Sequence, residues 1–337
     1  MPLRPRTVAS SVPADRPSRP QGDPPIHDRV IVDAAHERRA LVAGLRAQPA
    51  TIAPKYFYDA RGCDLFAAIC RLPEYYPTRT ERAIFAAHRA DLRRTVGTGG
   101  ELVDLGAGDC GKAPLWLDLF APSRYVAVDI ARGALARALP PLAARHPHLD
   151  VLGVVADFTR GLDLSRDLGG GPVTFVYPGS SIGNFAPGDA LRLLRAIRLH
   201  CDDDTSGLVI GVDTKKDVAR LEAAYDDAEG ITAAFNRNVL LHVNRILGTR
   251  FDPAAFAHVA FYASEASRIE MHLEACSEQT IVVDGVARSF ARGERILTEH
   301  SYKYAPPEFE ALLRDAGFRR VVRFLDARGD FAVYYAA

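Results

Sequence analysis

Glu101-Leu-Val-Asp-Leu-Gly-Ala-Gly-Asp-Cys-Gly-Lys112 opens with a short apolar run and breaks at two glycines. Residues 102–105 have the extended, half-apolar character of a strand, and residues 112–120 are rich in Leu and Ala and predict a helix, with Pro114 tolerable in its first turn. A strand, a glycine turn and a helix present backbone N–H groups and a positive helix end to a nucleotide-like ligand. Gly106 and Gly108 permit positive φ and leave no Cβ in the ligand's way. Residues 123–128 predict a second strand ending in Asp129, about 20 residues past the glycines, where a ribose diol is held.

Outward from this stretch the pattern alternates. Residues 134–145 predict a helix, 151–155 a strand ending at Asp157-Phe158, 173–177 a strand ending in a Gly-Ser-Ser loop, 187–199 a helix and 207–212 another strand. Such alternation gives an α/β fold with a mostly parallel sheet wound on both faces, and ligands at the carboxyl ends of its strands. The alternation stops at Asp213. Helices at 218–228 and 232–247 and extended segments at 259–262, 267–273 and 280–283 predict a separate unit. Residues 307–316 predict a helix ending at Gly317, and 319–324 and 331–335 a hairpin that closes the sheet antiparallel. Upstream, 36–46, 64–70 and 80–94 predict helices, while Pro73 and Pro77 speak against helix around Tyr75 and Tyr76. Residues 1–25 hold seven prolines and four arginines and predict a disordered tail.

Composition narrows the function. The 337 residues carry 42 basic and 42 acidic side chains, so no overall field favours nucleic acid or an anionic membrane. No apolar run approaches the roughly 20 residues of a membrane span. Five cysteines without a C-x-x-C pair suit reduced thiols in the cytoplasm. The ten histidines form no H-E-x-x-H or close His/Cys cluster, so no metal is expected.

Two cofactors compete for the glycine turn. Gly106-x-Gly108-x-x-Gly111 matches a dinucleotide fingerprint, which admits an NAD-dependent oxidoreductase. A dinucleotide needs a second mononucleotide half, and here the sheet ends in a hairpin. S-adenosylmethionine needs one half only: Gly106, Gly108 and Lys112 around its methionine end, Asp129 on the ribose, and Asp157 with Phe158 near the adenine.

Longer motifs lie outside the turn. Pro54-Lys-Tyr-Phe-Tyr-Asp, Leu72-Pro-Glu-Tyr-Tyr-Pro-Thr-Arg, Gly179-Ser-Ser-Ile-Gly-Asn-Phe, Ala224-Tyr-Asp-Asp-Ala-Glu-Gly-Ile-Thr-Ala-Ala-Phe-Asn-Arg-Asn, Arg268-Ile-Glu-Met and Thr298-Glu-His-Ser-Tyr-Lys-Tyr follow in that order. The series resembles the histidine-specific Nα-methyltransferase family, which forms hercynine in ergothioneine biosynthesis, over about residues 30–337. The resemblance implies a class I methyltransferase core with a Rossmann-like sheet (80–213 and 303–337) and a smaller α+β substrate domain (28–79 and 214–302), after a tail at 1–27. It implies substrate contacts at Tyr58, Tyr75, Asn184, Tyr225, Met271, Glu299 and Ser301, with Tyr58, Tyr75 and Asn184 as the catalytic residues. Asn184 and Tyr225 are then expected on the carboxylate, Glu299 and Ser301 on the imidazole, Tyr75 beside it, and Met271 along the wall. Glu299 and Ser301 are two apart and share a face of an extended strand, whereas His300 faces away. The expected reaction is trimethylation of the α-amine of L-histidine by a monomer with no nucleic-acid or membrane partner. A relative acting on another amino acid or a histidine derivative is the nearest alternative, and a non-catalytic binding protein the most distant.

Overall fold

The computed structural model describes residues 22–29, 34–159, 161–201 and 205–337 of this chain. Most of the expected tail, residues 1–21, lies outside them. Its last part does not behave as a tail, because Ile26–Asp28 forms strand β1. The buried carboxylate of Asp167 draws this segment in: it lies 2.8 Å from His27 Nδ1 and accepts from Arg29 at 2.6 and 2.8 Å. Helix α1 (Ala34–Arg46), strand β2 (Ala50–Thr51) and a 3-10 turn at Pro54–Phe57 follow. Asp59 caps α2 (Ala60–Ile69) by accepting from Gly62 N at 2.7 Å.

Helix α3 (Tyr76–Ala87) starts earlier than expected. Pro77 sits in its first turn, where the missing N–H has no helical partner to lose, so the proline starts the helix that the sequence reading had it prevent. The chain breaks at His88 and continues as α4 (Arg89–Val96).

The alternating region gives β3 (Glu101–Leu105), α5 (Ala113–Phe120), β4 (Arg124–Asp129), α6 (Arg132–Arg145), β5 (Asp150–Val155), β6 (Val173–Tyr177), α7 (Pro187–Arg198) and β7 (Gly207–Asp213). Next come α8 (Val218–Ala223), α9 (Ile231–Leu247), β8 (Phe256–Ala263), β9 (Arg268–Ala275), the hairpin β10 (Gln279–Val283) and β11 (Val286–Phe290), and β12 (Arg295–Tyr302). Helix α10 (Pro306–Asp315), β13 (Val321–Leu325) and β14 (Phe331–Ala336) finish the chain.

Eight strands form one sheet in the order β1-β5-β4-β3-β6-β7-β14-β13. Strands β1 and β3–β7 are parallel, and β14 runs antiparallel to both β7 and β13. One face packs on α7 and α10 through Leu193, Leu194, Ile197, Phe309 and Leu313. The other packs on α3–α6 through Phe85, Leu92, Trp116, Leu119 and Leu139. A smaller sheet, β2-β12-β9-β8, has its own apolar cluster with α1, α2 and α9, which includes Leu41, Leu45, Phe235, Val239, Leu240 and Leu273. Among the described residues no helix is long and apolar enough to cross a membrane.

Helix α8 stops five residues short of the expected end. The Asp227 carboxylate takes the N–H groups of Ile231 and Thr232 at 2.9 and 2.7 Å, and Gly230 turns left-handed at φ 72. These local bonds start α9 in place of extending α8. Tyr225 therefore sits in a turn, not on a helix face as expected.

Candidate active site

The glycine turn opens at the carboxyl end of β3. Gly106 and Gly108 have φ of 73 and 53, and a Cβ on either would meet no atom within 4 Å. They serve the turn's shape and leave its outer surface bare. Asp129 ends β4, and its two oxygens accept from Gly108 N and Ala131 N at 2.8 Å each. Each keeps a second lone pair, which suits a ligand's vicinal hydroxyls. Asp157, two residues past β5, is held by the backbone and hydroxyl of Thr159 and lies 3.6 Å from Lys55 Nζ. Phe158 meets Tyr177 edge-on at 5.7 Å. The turn and the two acids occupy three neighbouring strand ends, and beyond β7 the sheet turns antiparallel. One nucleoside-sized ligand fits this set, and the second half that a dinucleotide requires is replaced by the hairpin.

Lys112 pairs with an acid outside the glycine turn and keeps two of its three N–H donors. Its ammonium lies 2.7 Å from Glu81 Oε2, and Glu81 Oε1 accepts Gly179 N at 2.7 Å. Glu81 is buried and was not singled out in the sequence.

A pocket opens past the ends of β6 and β7. Tyr58, Tyr75, Asn184, Tyr225, Met271, Glu299 and Ser301 all line it, together with Phe66 and Phe235. Tyr58 precedes the α2 cap, and Asp59 is fixed there by Asn238 Nδ2 at 2.8 Å and by Arg245. Its ring meets Phe66 edge-on at 5.8 Å and Phe235 at 6.0 Å. Tyr75 meets Phe66 at 6.2 Å and Tyr225 at 6.4 Å. Asn184 ends a 3-10 turn after β6 and does not cap α7, since Ala186 holds that position with no side-chain cap.

The opposite wall is β12, which pairs with β9 so that Glu299 faces Met271. The register shifts between Leu297 and Glu299, and this bulge turns both Thr298 and Glu299 inward. Alternation then resumes. His300 points outward, 3.8 Å from Glu270, and Ser301 points inward. Glu299 is 9% exposed, and among the described residues no donor meets its carboxyl. Burial pushes its pKa up to about 7, against the pull of Lys303. An unpaired buried acid is costly unless a ligand completes it.

The family model for "histidine-specific methyltransferase, SAM-dependent" matches residues 37–337. The chain belongs to this family. The histidine N-alpha-methyltransferase of Mycolicibacterium smegmatis is 41% identical over 315 residues, covering 91% of this chain and 97% of that protein. The same-named protein of Mycobacterium tuberculosis is 38% identical over 314 residues, covering 90% and 96%. A more distant relative, the 4-dimethylallyltryptophan N-methyltransferase of Claviceps purpurea, is 24% identical over 327 residues, covering 87% and 92%.

Within this histidine-specific methyltransferase, several groups at the site escaped the sequence reading. Phe66 and Phe235 sit on α2 and α9, where apolar residues at helical spacing look like core. Lys303 carried a signal, for it continues the period of two from Glu299 and Ser301. Asp213 carried little, since Tyr76 and Lys303 lie on distant segments and Lys216, three residues on, reads as an ordinary local pair. Asn236, left uncommitted from sequence, is fully buried and bonds His258 Nδ1 at 2.8 Å, the His272 carbonyl at 3.0 Å and the Thr298 hydroxyl at 2.8 Å.

Proposed function

We propose that this chain methylates the α-amine of L-histidine three times, using S-adenosylmethionine, and so forms hercynine, the first step of ergothioneine biosynthesis. The observation that carries this reading is the buried Glu299, with no donor among the described residues, beside Ser301 in an aromatic pocket whose Gly179 rim is tied through Glu81 to Lys112 at the end of the glycine turn. The names of the mycobacterial relatives support the same substrate.

When bound, S-adenosylmethionine supplies an electrophilic sulfonium methyl group. Gly106, Gly108, Asp129, Asp157 and Phe158 would hold it, with Lys112 bracing the loop through Glu81. Asn184 and Tyr225 hold the substrate's carboxylate. Glu299 takes an imidazole N–H, and Ser301 meets the other ring nitrogen. A phenyl or aliphatic side chain would leave Glu299 unpaired, a mismatch that costs on the order of 10⁴-fold in favourable cases. Attack needs the amine as its free base, and a pocket walled by Tyr58, Phe66, Tyr75 and Phe235 favours the neutral form by desolvation. The same ring faces suit the quaternary ammonium product. Positioning of the amine by Asn184, Tyr225 and the aromatic wall would supply most of the rate, because methyl transfer asks little of the protein beyond holding the nucleophile in place.

In this reading residues 80–213 and 303–337 form the cofactor-binding core, and 28–79 with 214–302 build the substrate pocket. The enzyme acts as a cytoplasmic monomer. The test is mass spectrometry of products after incubation with S-adenosylmethionine and all standard amino acids. Histidine heavier by three methyl groups is the expected result. Methylation of another amino acid would overturn the pocket assignment, and no methylation would overturn the reading altogether.

A further inference from the structure

Behind the pocket lies a charged cluster that the proposed chemistry does not use. Lys303 follows β12 and is 1% exposed, and Asp213 ends β7 and is 0% exposed. The Lys303 ammonium lies 2.8 Å from Asp213 Oδ2, 2.9 Å from the Tyr225 hydroxyl and 2.9 Å from Ser301 Oγ. An ammonium has three N–H donors and no acceptor, so these three partners saturate it and none is left for a ligand. Asp213 also accepts from the Tyr76 hydroxyl, at 2.9 and 2.8 Å to its two oxygens, and from Lys216. Burial works against its charge, but Lys303 and Lys216 hold the carboxyl below its usual range.

The hydroxyl count follows from this saturation. Tyr225 and Ser301 have two hydroxyl protons between them, and their oxygens stand 2.8 Å apart, so one proton lies in the bond that joins them. Lys303 places an N–H on each oxygen. One proton remains for whatever enters the pocket. If Ser301 donates it, Tyr225 donates to Ser301; if Tyr225 donates it, Ser301 donates to Tyr225 and becomes an acceptor.

We propose that Lys303, anchored by Asp213, is a positioning residue that makes Tyr225 and Ser301 a single-donor unit toward the substrate. The unit gives its one proton to the substrate's carboxylate through Tyr225, so Ser301 is left as an acceptor, and the ring that fits is the one carrying an N–H on both nitrogens, one to Glu299 and one to Ser301. This couples the two ends of the substrate, its carboxylate and its ring, through one shared hydrogen. The inference rests on the histidine reading above and adds the group that sets the pocket's polarity.

The test begins with wild-type protein and L-histidine, then compares Lys303→Met, Ser301→Ala and the double variant. Lys303→Met leaves Asp213 paired with Lys216 and Tyr76, so the buried carboxylate keeps one cation. The expected result is a rise of about 10- to 100-fold in KM for histidine, the worth of a charged hydrogen bond. The Kd for S-adenosylmethionine, measured by calorimetry, should stay within about twofold of wild type. Ser301→Ala should cost less in the Lys303→Met background than alone, because both act on the same shared proton; a role in folding alone would make the two losses add. If Lys303→Met yields no folded protein, Lys303→Gln, which keeps N–H donors without charge, carries the same test, with a smaller rise in histidine KM. An unchanged histidine KM, or equal loss of cofactor and histidine affinity, in an otherwise histidine-methylating enzyme overturns this inference alone. Wild-type protein that methylates no histidine overturns the functional reading, and the inference with it.

Discussion

Glu81 Oε1 accepts the backbone N–H of Gly179 at 2.7 Å and so ties helix α3 to the loop that borders the pocket. The carboxylate lies against Gly211 of β7, where a Cβ would stand 2.0 Å from the same oxygen. The Glu81–Gly179 contact thus depends on a missing side chain in β7. Gly211→Ala should displace Glu81, and Glu81→Ala should leave Gly179 N without its acceptor. Each is expected to destabilise the protein by about 1–3 kcal/mol, read as a shift in the urea midpoint at constant slope. Both cofactor and histidine affinity should fall with it, because the loop borders both. Full retention of both affinities would detach this contact from the site.

Glu299→Ala should raise the KM for histidine by roughly 10- to 100-fold while S-adenosylmethionine binds as before. Equal loss of both would indicate damage to the fold and not to the ring contact.

The same residue makes a prediction about pH. Glu299 holds its proton up to about 7 in the folded chain, against an ordinary value of 4.5. Between these values the folded state binds more protons than the unfolded chain, so stability falls as pH rises. The contribution is fully present below 4.5 and lost as pH passes about 7. Glu299→Gln cannot ionise, so the Tm difference between this variant and wild type should grow across that window and level off above it. A difference independent of pH would show that the carboxyl titrates normally.

Asp129→Ala should weaken S-adenosylmethionine binding and spare the histidine KM measured at saturating cofactor. Its carboxylate also holds Gly108 N and Ala131 N, so part of the loss will come from a loosened turn. Asp129→Asn, which keeps one acceptor, should lie between. Cofactor Kd by calorimetry decides, and an unchanged value in both variants removes Asp129 from the ribose.

Asn236→Leu should be costly without touching any ligand. The amide joins α9 to β8, β9 and the bulge of β12, and its N–H leaves His258 Nδ1 an acceptor, so His258 Nε2 donates to the Tyr225 carbonyl at 2.8 Å. Burial keeps that histidine below its ordinary pKa and therefore neutral. Loss of the hub should cost about 2–4 kcal/mol, visible as a lower urea midpoint. A change below about 0.5 kcal/mol would place it among ordinary surface substitutions.

The sequence by itself determined the alternating sheet, the glycine turn, the closing hairpin, and the shared face of Glu299 and Ser301. Each depends on a pattern spanning a few residues: the periods of strand and helix, the φ freedom of glycine, the acid at a strand end. Family membership was also legible, because ordered motifs survive as text. Tertiary structure decided what depends on partners far along the chain. Pro77 reads as a helix breaker until the helix is seen to begin beside it. Residues 26 and 27 read as tail until Asp167, some 140 positions on, collects His27. The bulge that turns Glu299 inward is fixed by pairing with β9, and period two alone gives no sign of which face β12 buries. Lys112 has no visible partner in the sequence until folding brings Glu81 to 2.7 Å from its ammonium. Asp213 and Lys303 are ordinary charged residues until folding removes water from both, and only then does their pairing become compulsory.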